Sequence, residues 1–253
     1  MRPLLPLSLL CLMVFAEGCY FVQRAKTPMP VERFAPNGPA QARGAMVFMP
    51  GFIDGPEDFV THGFVDLVRE HAPGYDVFAA NAHFRYYAKG RLWTRLEQDV
   101  VAPLRRDGYR EVWLVGISMG GFGSLSYASK HPEQISGLIL LAPYMGPRDL
   151  IEEISAAGGV ESWQPGDLAA IEDEEERLYR SMWAWLRQRA VGESEQGPTL
   201  LLGYGDEDRL RFPNGLLGNA LSEDQVAVRP GGHKWVVWKP LFETLLQRAF
   251  PPA

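Results

Sequence analysis

Val112-Trp113-Leu114-Val115-Gly116-Ile117-Ser118-Met119-Gly120-Gly121 is an apolar run that passes straight into Gly-x-Ser-x-Gly and then into small residues. The run has the length and β-branched content of a buried strand, and Met119 to His131 reads as a helix. A serine on so sharp a strand-to-helix turn adopts a strained backbone, and its neighbours must carry almost no side chain for strand and helix to approach. Gly116, Gly120, Gly121 and Gly123 supply that room. Ser118 is therefore a candidate nucleophile, against the plainer reading of a serine that only caps a helix.

Outward from this turn, short apolar runs alternate with longer amphipathic ones. Ala45 to Met49, Tyr75 to Ala80, Glu111 to Ile117, Ile135 to Ala142, Thr199 to Tyr204 and Gln225 to Arg229 read as strands. Glu57 to His71, Leu92 to Asp107, Met119 to His131 and Trp235 to Ala249 read as helices. That alternation predicts an α/β fold with a mostly parallel, doubly covered sheet. Between about residues 143 and 197 no strand is evident, while Asp167 to Arg189 looks helical, so a helical lid insertion is expected there. Its Trp163, Trp183 and Trp185 either line a substrate entrance or, as aromatic residues at helical spacing more commonly do, pack the insertion onto the body.

The chain of 253 residues suits one domain of this kind. A net charge of −6 argues against a nucleic-acid partner, which would call for clustered Lys and Arg. Arg2 followed by an apolar run from Leu4 to Ala16 reads as a signal peptide over residues 1–18, and the run is too short to span a bilayer of about 30 Å comfortably. Ala16-Glu17-Gly18-Cys19 resembles a bacterial lipoprotein signal, although a lipobox usually has Leu where Ala16 stands and a small residue where Glu17 stands. Lipidation of Cys19, an ordinary cleavage and an uncleaved anchor stay open. The expectation is export to a bacterial cell envelope, with membrane attachment through Cys19 if it is lipidated. Residues 19–43, with Pro28, Pro30, Pro36 and Pro39, read as a tether, and the domain is expected over residues 44–253.

A serine hydroxyl is a weak nucleophile and needs a base oriented by a third group. The expected chain order is Ser, acid, His. Pro230-Gly231-Gly232-His233 follows the last expected strand and nominates His233 as base, since His131 sits at the far end of the helix that begins at the serine. His62, His71 and His83 precede the serine and read as surface or loop residues. The acid belongs after Thr199 to Tyr204, where Gly205-Asp206-Glu207-Asp208 offers two aspartates; Asp208 is preferred and Asp206 is the alternative. Alternation turns Glu207 away from both. Backbone N–H groups must meet a developing oxyanion, and Met119 and Phe52, in the loop Pro50-Gly51-Phe52, are the candidates. Gly51 could equally be a simple tight turn.

Together the elbow, the acid loop, the Gly-Gly-His and the turn at Gly51 resemble the α/β-hydrolase superfamily from about Gly44 onward, with no subfamily identified. The resemblance implies a serine hydrolase acting on a carboxylic ester or thioester, with a small-molecule acyl substrate and no cofactor. Ser118 would attack the acyl carbon, His233 would move the proton and Asp208 would orient the imidazole. The loop departs from the His-Gly-Gly-Gly of some lipases and esterases. Histidine spacing suggests no metal site. An acyltransferase with the same triad and a non-catalytic envelope binding protein are the competing expectations.

Overall fold

A computed structural model describes residues 24–35, 37–38, 40–193 and 197–251, so the expectations on residues 1–18 and on Cys19 lie outside the described residues. The apolar runs do form strands: β1 Val31–Phe34, β2 Gly44–Met49, β3 Tyr75–Ala80, β4 Glu111–Ile117, β5 Gly137–Leu141, β6 Thr199–Gly205 and β7 Val226–Arg229. They make one seven-stranded sheet in the order β1-β3-β2-β4-β5-β6-β7. All neighbours are parallel except β1, which lies antiparallel on β3. Every residue of β2, β3 and β5 is buried, the pattern of strands covered on both faces.

The helices are α1 Pro56–Thr61, α2 Phe64–His71, α3 Phe84–Ala88, α4 Leu92–Leu96, α5 Ala102–Asp107, α6 Met119–Lys130, α7 Arg148–Ala156, α8 Glu174–Ala190, α9 Arg211–Gly218 and α10 Trp235–Ala249. One apolar layer joins the sheet to α4, α5, α6 and α8; the other joins it to α1, α2 and α10. The expected mostly parallel, doubly covered α/β sheet is therefore the observed one.

Several boundaries are corrected. The sheet does not begin at Gly44: β1 lies within the stretch read as a tether, and Met29 and Ala42 are buried. The helix expected over Glu57 to His71 is broken at Gly63, which adopts φ +76°. Leu92 to Asp107 is helical throughout but carries one wide turn over Glu97–Val101 between α4 and α5. Pro103, which has no N–H to donate, stands in the first turn of α5 and favours that irregularity.

The insertion holds α7 and α8 and no strand among the described residues. Trp163, Trp183 and Trp185 are buried, and Trp183 Nε1 donates to the Met145 carbonyl at 2.8 Å. The packing role is thus the observed one, and none of the three lines the cleft described below. Among the described residues no helix is long and apolar enough to cross a membrane.

Candidate active site

Ser118 stands between the end of β4 and the start of α6 with φ +51° and ψ −111°, a backbone that L-residues rarely adopt. Three bonds hold it there: its N–H donates to the Leu141 carbonyl at 2.9 Å, and its own carbonyl accepts from Phe122 at 3.1 Å and Tyr144 at 2.9 Å. The glycines around it are sterically required. A Cβ on Gly120 would meet the Met49 and Pro50 carbonyls, and one on Gly121 would lie 2.8 Å from the Pro143 side chain. The elbow is therefore wedged between the ends of β2 and β5 as well as between its own strand and helix. β2 has β3 on one side and β4 on the other, so this is where the chain changes direction across the sheet, the usual place for a ligand crevice.

Two further loops converge at the same end of the sheet. Asp208 follows β6 and is fully buried, with its Oδ1 accepting from the Leu210 N–H at 2.8 Å. His233 follows β7, and its Nδ1 stands 2.8 Å from Asp208 Oδ2 and 3.0 Å from Oδ1. A carboxylate on Nδ1 favours the tautomer that leaves Nε2 without a proton. The edge of the His233 ring packs on Trp238 of α10, with centroids 4.7 Å apart.

Asp206, the alternative acid, does something else. Its Oδ1 accepts from the Gly231 N–H at 3.0 Å and its own N–H donates to the Arg229 carbonyl at 2.9 Å, so it ties the acid loop to the histidine loop. Glu207 turns outward, as alternation required, and is exposed.

On the other side, the loop after β2 borders the serine: a Cβ on Gly51 would come within 3.8 Å of Ser118 Cβ and would collide with Asp54 Oδ2. Asp54 Oδ1 accepts from Trp235 Nε1 at 3.1 Å, which links this loop to the start of α10. Burial pushes the Asp54 carboxyl above the usual carboxylate range, opposed by the Trp235 hydrogen bond and by nearby His233 and His62, and reinforced by Asp58. Phe52 is exposed, its ring edge-on to Phe84 at 4.9 Å, while Met119 is buried and lines the same cleft as Ser118.

The remaining histidines are accounted for elsewhere. His62 stacks on Trp235 at 4.4 Å, His83 caps α3, His131 packs against Tyr127, and His71 faces Glu243 at 3.5 Å. Among the described residues no group of three or more His, Cys, Asp or Glu is arranged to hold a metal ion.

Ser118 opens onto a cleft of about 1170 Å³. The cleft is lined by Phe84, Tyr87 and Trp93, by Phe122 of α6, and by Leu178 and Tyr179 of α8. Tyr87 Oη donates to the Met119 carbonyl at 3.1 Å, and burial raises its pKa well above the ordinary tyrosine value. None of these lining residues stood out in the sequence. The five-residue α3 is too short to show a period, and the helical signals of α4, α6 and α8 did not say which of their residues meet in a cleft.

Sheet order, elbow and convergent loops define the class: an α/β-hydrolase-fold enzyme. The chain belongs to the Esterase family, described as "Putative esterase", whose model matches residues 74–249, more than half of the chain. It is an ester-hydrolysing enzyme. No curated protein matches its sequence significantly.

The solved structures similar to it share the fold at low identity. A ferulic acid esterase has a TM-score of 0.56 at 15% identity, over 87% of this chain and 97% of that one. The S-formylglutathione hydrolase of Staphylococcus aureus has 0.54 at 16%, over 90% and 84%. The monoacylglycerol lipase of Paleococcus ferrophilus has 0.53 at 17%, over 87% and 99%.

Proposed function

We propose that the protein hydrolyses carboxylic esters through an acyl-enzyme on Ser118, with His233 as the base and Asp208 as the orienting acid. The observation that carries this reading is the pairing of His233 Nδ1 with the fully buried Asp208, on loops that end at the same edge of the sheet as the strained Ser118. In the first half-reaction the bond from Ser118 Oγ to the acyl carbon forms, the bond from the acyl carbon to the alkoxy oxygen breaks, and His233 carries the serine proton to that departing oxygen. In the second, His233 removes a proton from water, whose oxygen attacks the acyl carbon; the acid leaves and Ser118 regains its proton. Asp208 stays ionised and stabilises the imidazolium that forms in each half.

The developing oxyanion is met by the N–H groups of Met119 and of Phe52, the two residues beside Ser118 on the elbow and on the Gly51 loop. A thioester would follow the same course. We further propose export to the bacterial envelope, with a signal peptide over residues 1–18 and lipidation at Cys19.

The test is steady-state hydrolysis of p-nitrophenyl esters of graded chain length by the wild type, Ser118→Ala and His233→Ala. Loss of turnover by several orders of magnitude in both variants, with unfolding midpoints retained, supports the reading. Full activity in a folded Ser118→Ala protein overturns it. For the envelope proposal, membrane fractionation of Cys19→Ala reads the anchor directly.

A further inference from the structure

The length of the cleft is set by α6. Phe122, Ser126 and Lys130 follow the Ser118 turn at four-residue steps, a row that winds slowly round α6 by about 40° per step. Ser118, Phe122 and Lys130 line the cleft, and Ser126 between them is covered by Trp93, whose Nε1 donates to its Oγ at 2.9 Å. At a rise of 1.5 Å per residue, Lys130 lies about 18 Å along the helix from Ser118. The volume of about 1170 Å³ exceeds what a short ester fills.

Charge is distributed unevenly along this trough. Lys130, Arg177 and Arg209 line it against Glu174 and Glu175, three cations to two carboxylates, in a chain whose net charge is −6. Glu175 accepts from Tyr179 at 3.0 Å and Arg177 donates to the Ile171 carbonyl at 2.8 Å. Among the described residues, no carboxylate stands within ion-pair distance of Lys130 or Arg209.

The Lys130 ammonium lies 4.6 Å from the centroid of the Trp93 ring, which holds it at the far end of the cleft. Partial shielding from water pulls its pKa below the ordinary lysine value, opposed by the charge of Glu174 nearby. A cation so placed, resting on an aromatic face, gains from a ligand anion that supplies the missing contact.

We propose that the ester taken by this site is elongated, its apolar chain lying along α6 and its far end carrying a carboxylate or similar anion that pairs with Lys130. This rests on the reading that Ser118 is the nucleophile. An extended chain advances roughly 1.2 Å per chain atom and a lysine side chain reaches back about 6 Å, so about ten atoms separate the ester carbonyl from the anion. The aromatic side chains of the cleft flank that chain, and the charged end lies beside Lys130 at the far end of the cleft.

The test compares two esters of equal length, the p-nitrophenyl monoester of decanedioic acid and p-nitrophenyl decanoate, on the wild type, Lys130→Met and Lys130→Arg. The wild type should favour the charged ester in kcat/KM. That preference should fall about tenfold in Lys130→Met, the worth of one charge-assisted contact, and persist in Lys130→Arg. Added salt should narrow the gap. A wild type without the preference, or a Lys130→Met variant that keeps it, overturns the proposal.

Calorimetric binding of decanedioate to Ser118→Ala, with and without Lys130→Met, separates this inference from the catalytic one. If neither ester is cleaved but binding still weakens on Lys130→Met, the catalytic reading fails and the anion site stands. If hydrolysis proceeds and neither preference nor binding responds to Lys130, the anion site fails alone.

Discussion

Asp206 and Asp208 stand two residues apart and do different work. Asp208 is the carboxylate on His233, so Asp208→Asn should turn the imidazole to the wrong tautomer and lower kcat by about 10⁴-fold. Asp206 clamps one loop to the next, and its asparagine variant keeps the accepting oxygen; loss of about 1 kcal/mol, roughly fivefold in rate, is expected at most. Steady-state kinetics on the two variants would refute the assignment if the order reversed. In the sequence Asp208 is preferred but not decided, because both aspartates stand three residues after a glycine and burial is a property of the folded loop.

Asp54 gives a second residue-scale prediction. Its folded pKa lies above the unfolded value, chiefly through burial, so the fold binds that proton more tightly than the unfolded chain does. The contribution is complete below the ordinary carboxylate range and is lost as pH rises through the raised folded value. Asp54→Asn keeps an acceptor for Trp235 and never ionises. Its unfolding midpoint should exceed the wild type's at pH 7 and match it near pH 3. Equal midpoints at both pH values would contradict this.

At the scale of elements, the insertion is held on by its tryptophans. Trp183 is fully buried and bonded to the Met145 carbonyl, so Trp183→Ala should cost about 3–5 kcal/mol in urea unfolding. A loss below about 1 kcal/mol would mean that the insertion packs independently of it. The sequence offered packing onto the body as one of two roles for these tryptophans, and their burial decides for it. The sequence did not show which residues line the cleft, because those come from α3, α4, α6 and α8 and meet only once the sheet has ordered them. β1 was illegible for a related reason: Val31-Glu32-Arg33-Phe34 buries neither of its central residues, and it follows two prolines. Nothing in it alternates as a covered strand does.

For the whole molecule, the covered parallel sheet was legible because β2, β5 and all but the first residue of β4 are apolar runs and the elbow fixes their direction. The amino-terminal boundary was not, since it depends on one buried charge. Asp76 of β3 is fully buried and accepts from the Asn37 N–H at 3.1 Å, the Gly38 N–H at 2.8 Å and Tyr109 Oη at 2.8 Å. A chain starting at Gly44 leaves that carboxylate without three donors, the Asn37 and Gly38 N–H groups and the Asn37 side-chain amide, and β3 without its neighbour β1. It should lose on the order of 3 kcal/mol or more relative to a chain starting at Arg24, measured by urea unfolding. Equal stability of the two would show that β1 is dispensable.

The central claim is that one strained serine, on a turn walled in by glycines, is the reacting group of this esterase. The most direct measurement is labelling of the folded protein with a fluorophosphonate, followed by mass spectrometry of its peptides. One stoichiometric adduct is expected, on the peptide containing Ser118, abolished in Ser118→Ala and strongly slowed in His233→Ala. An unlabelled wild type, or an adduct on another residue that survives Ser118→Ala, would contradict it.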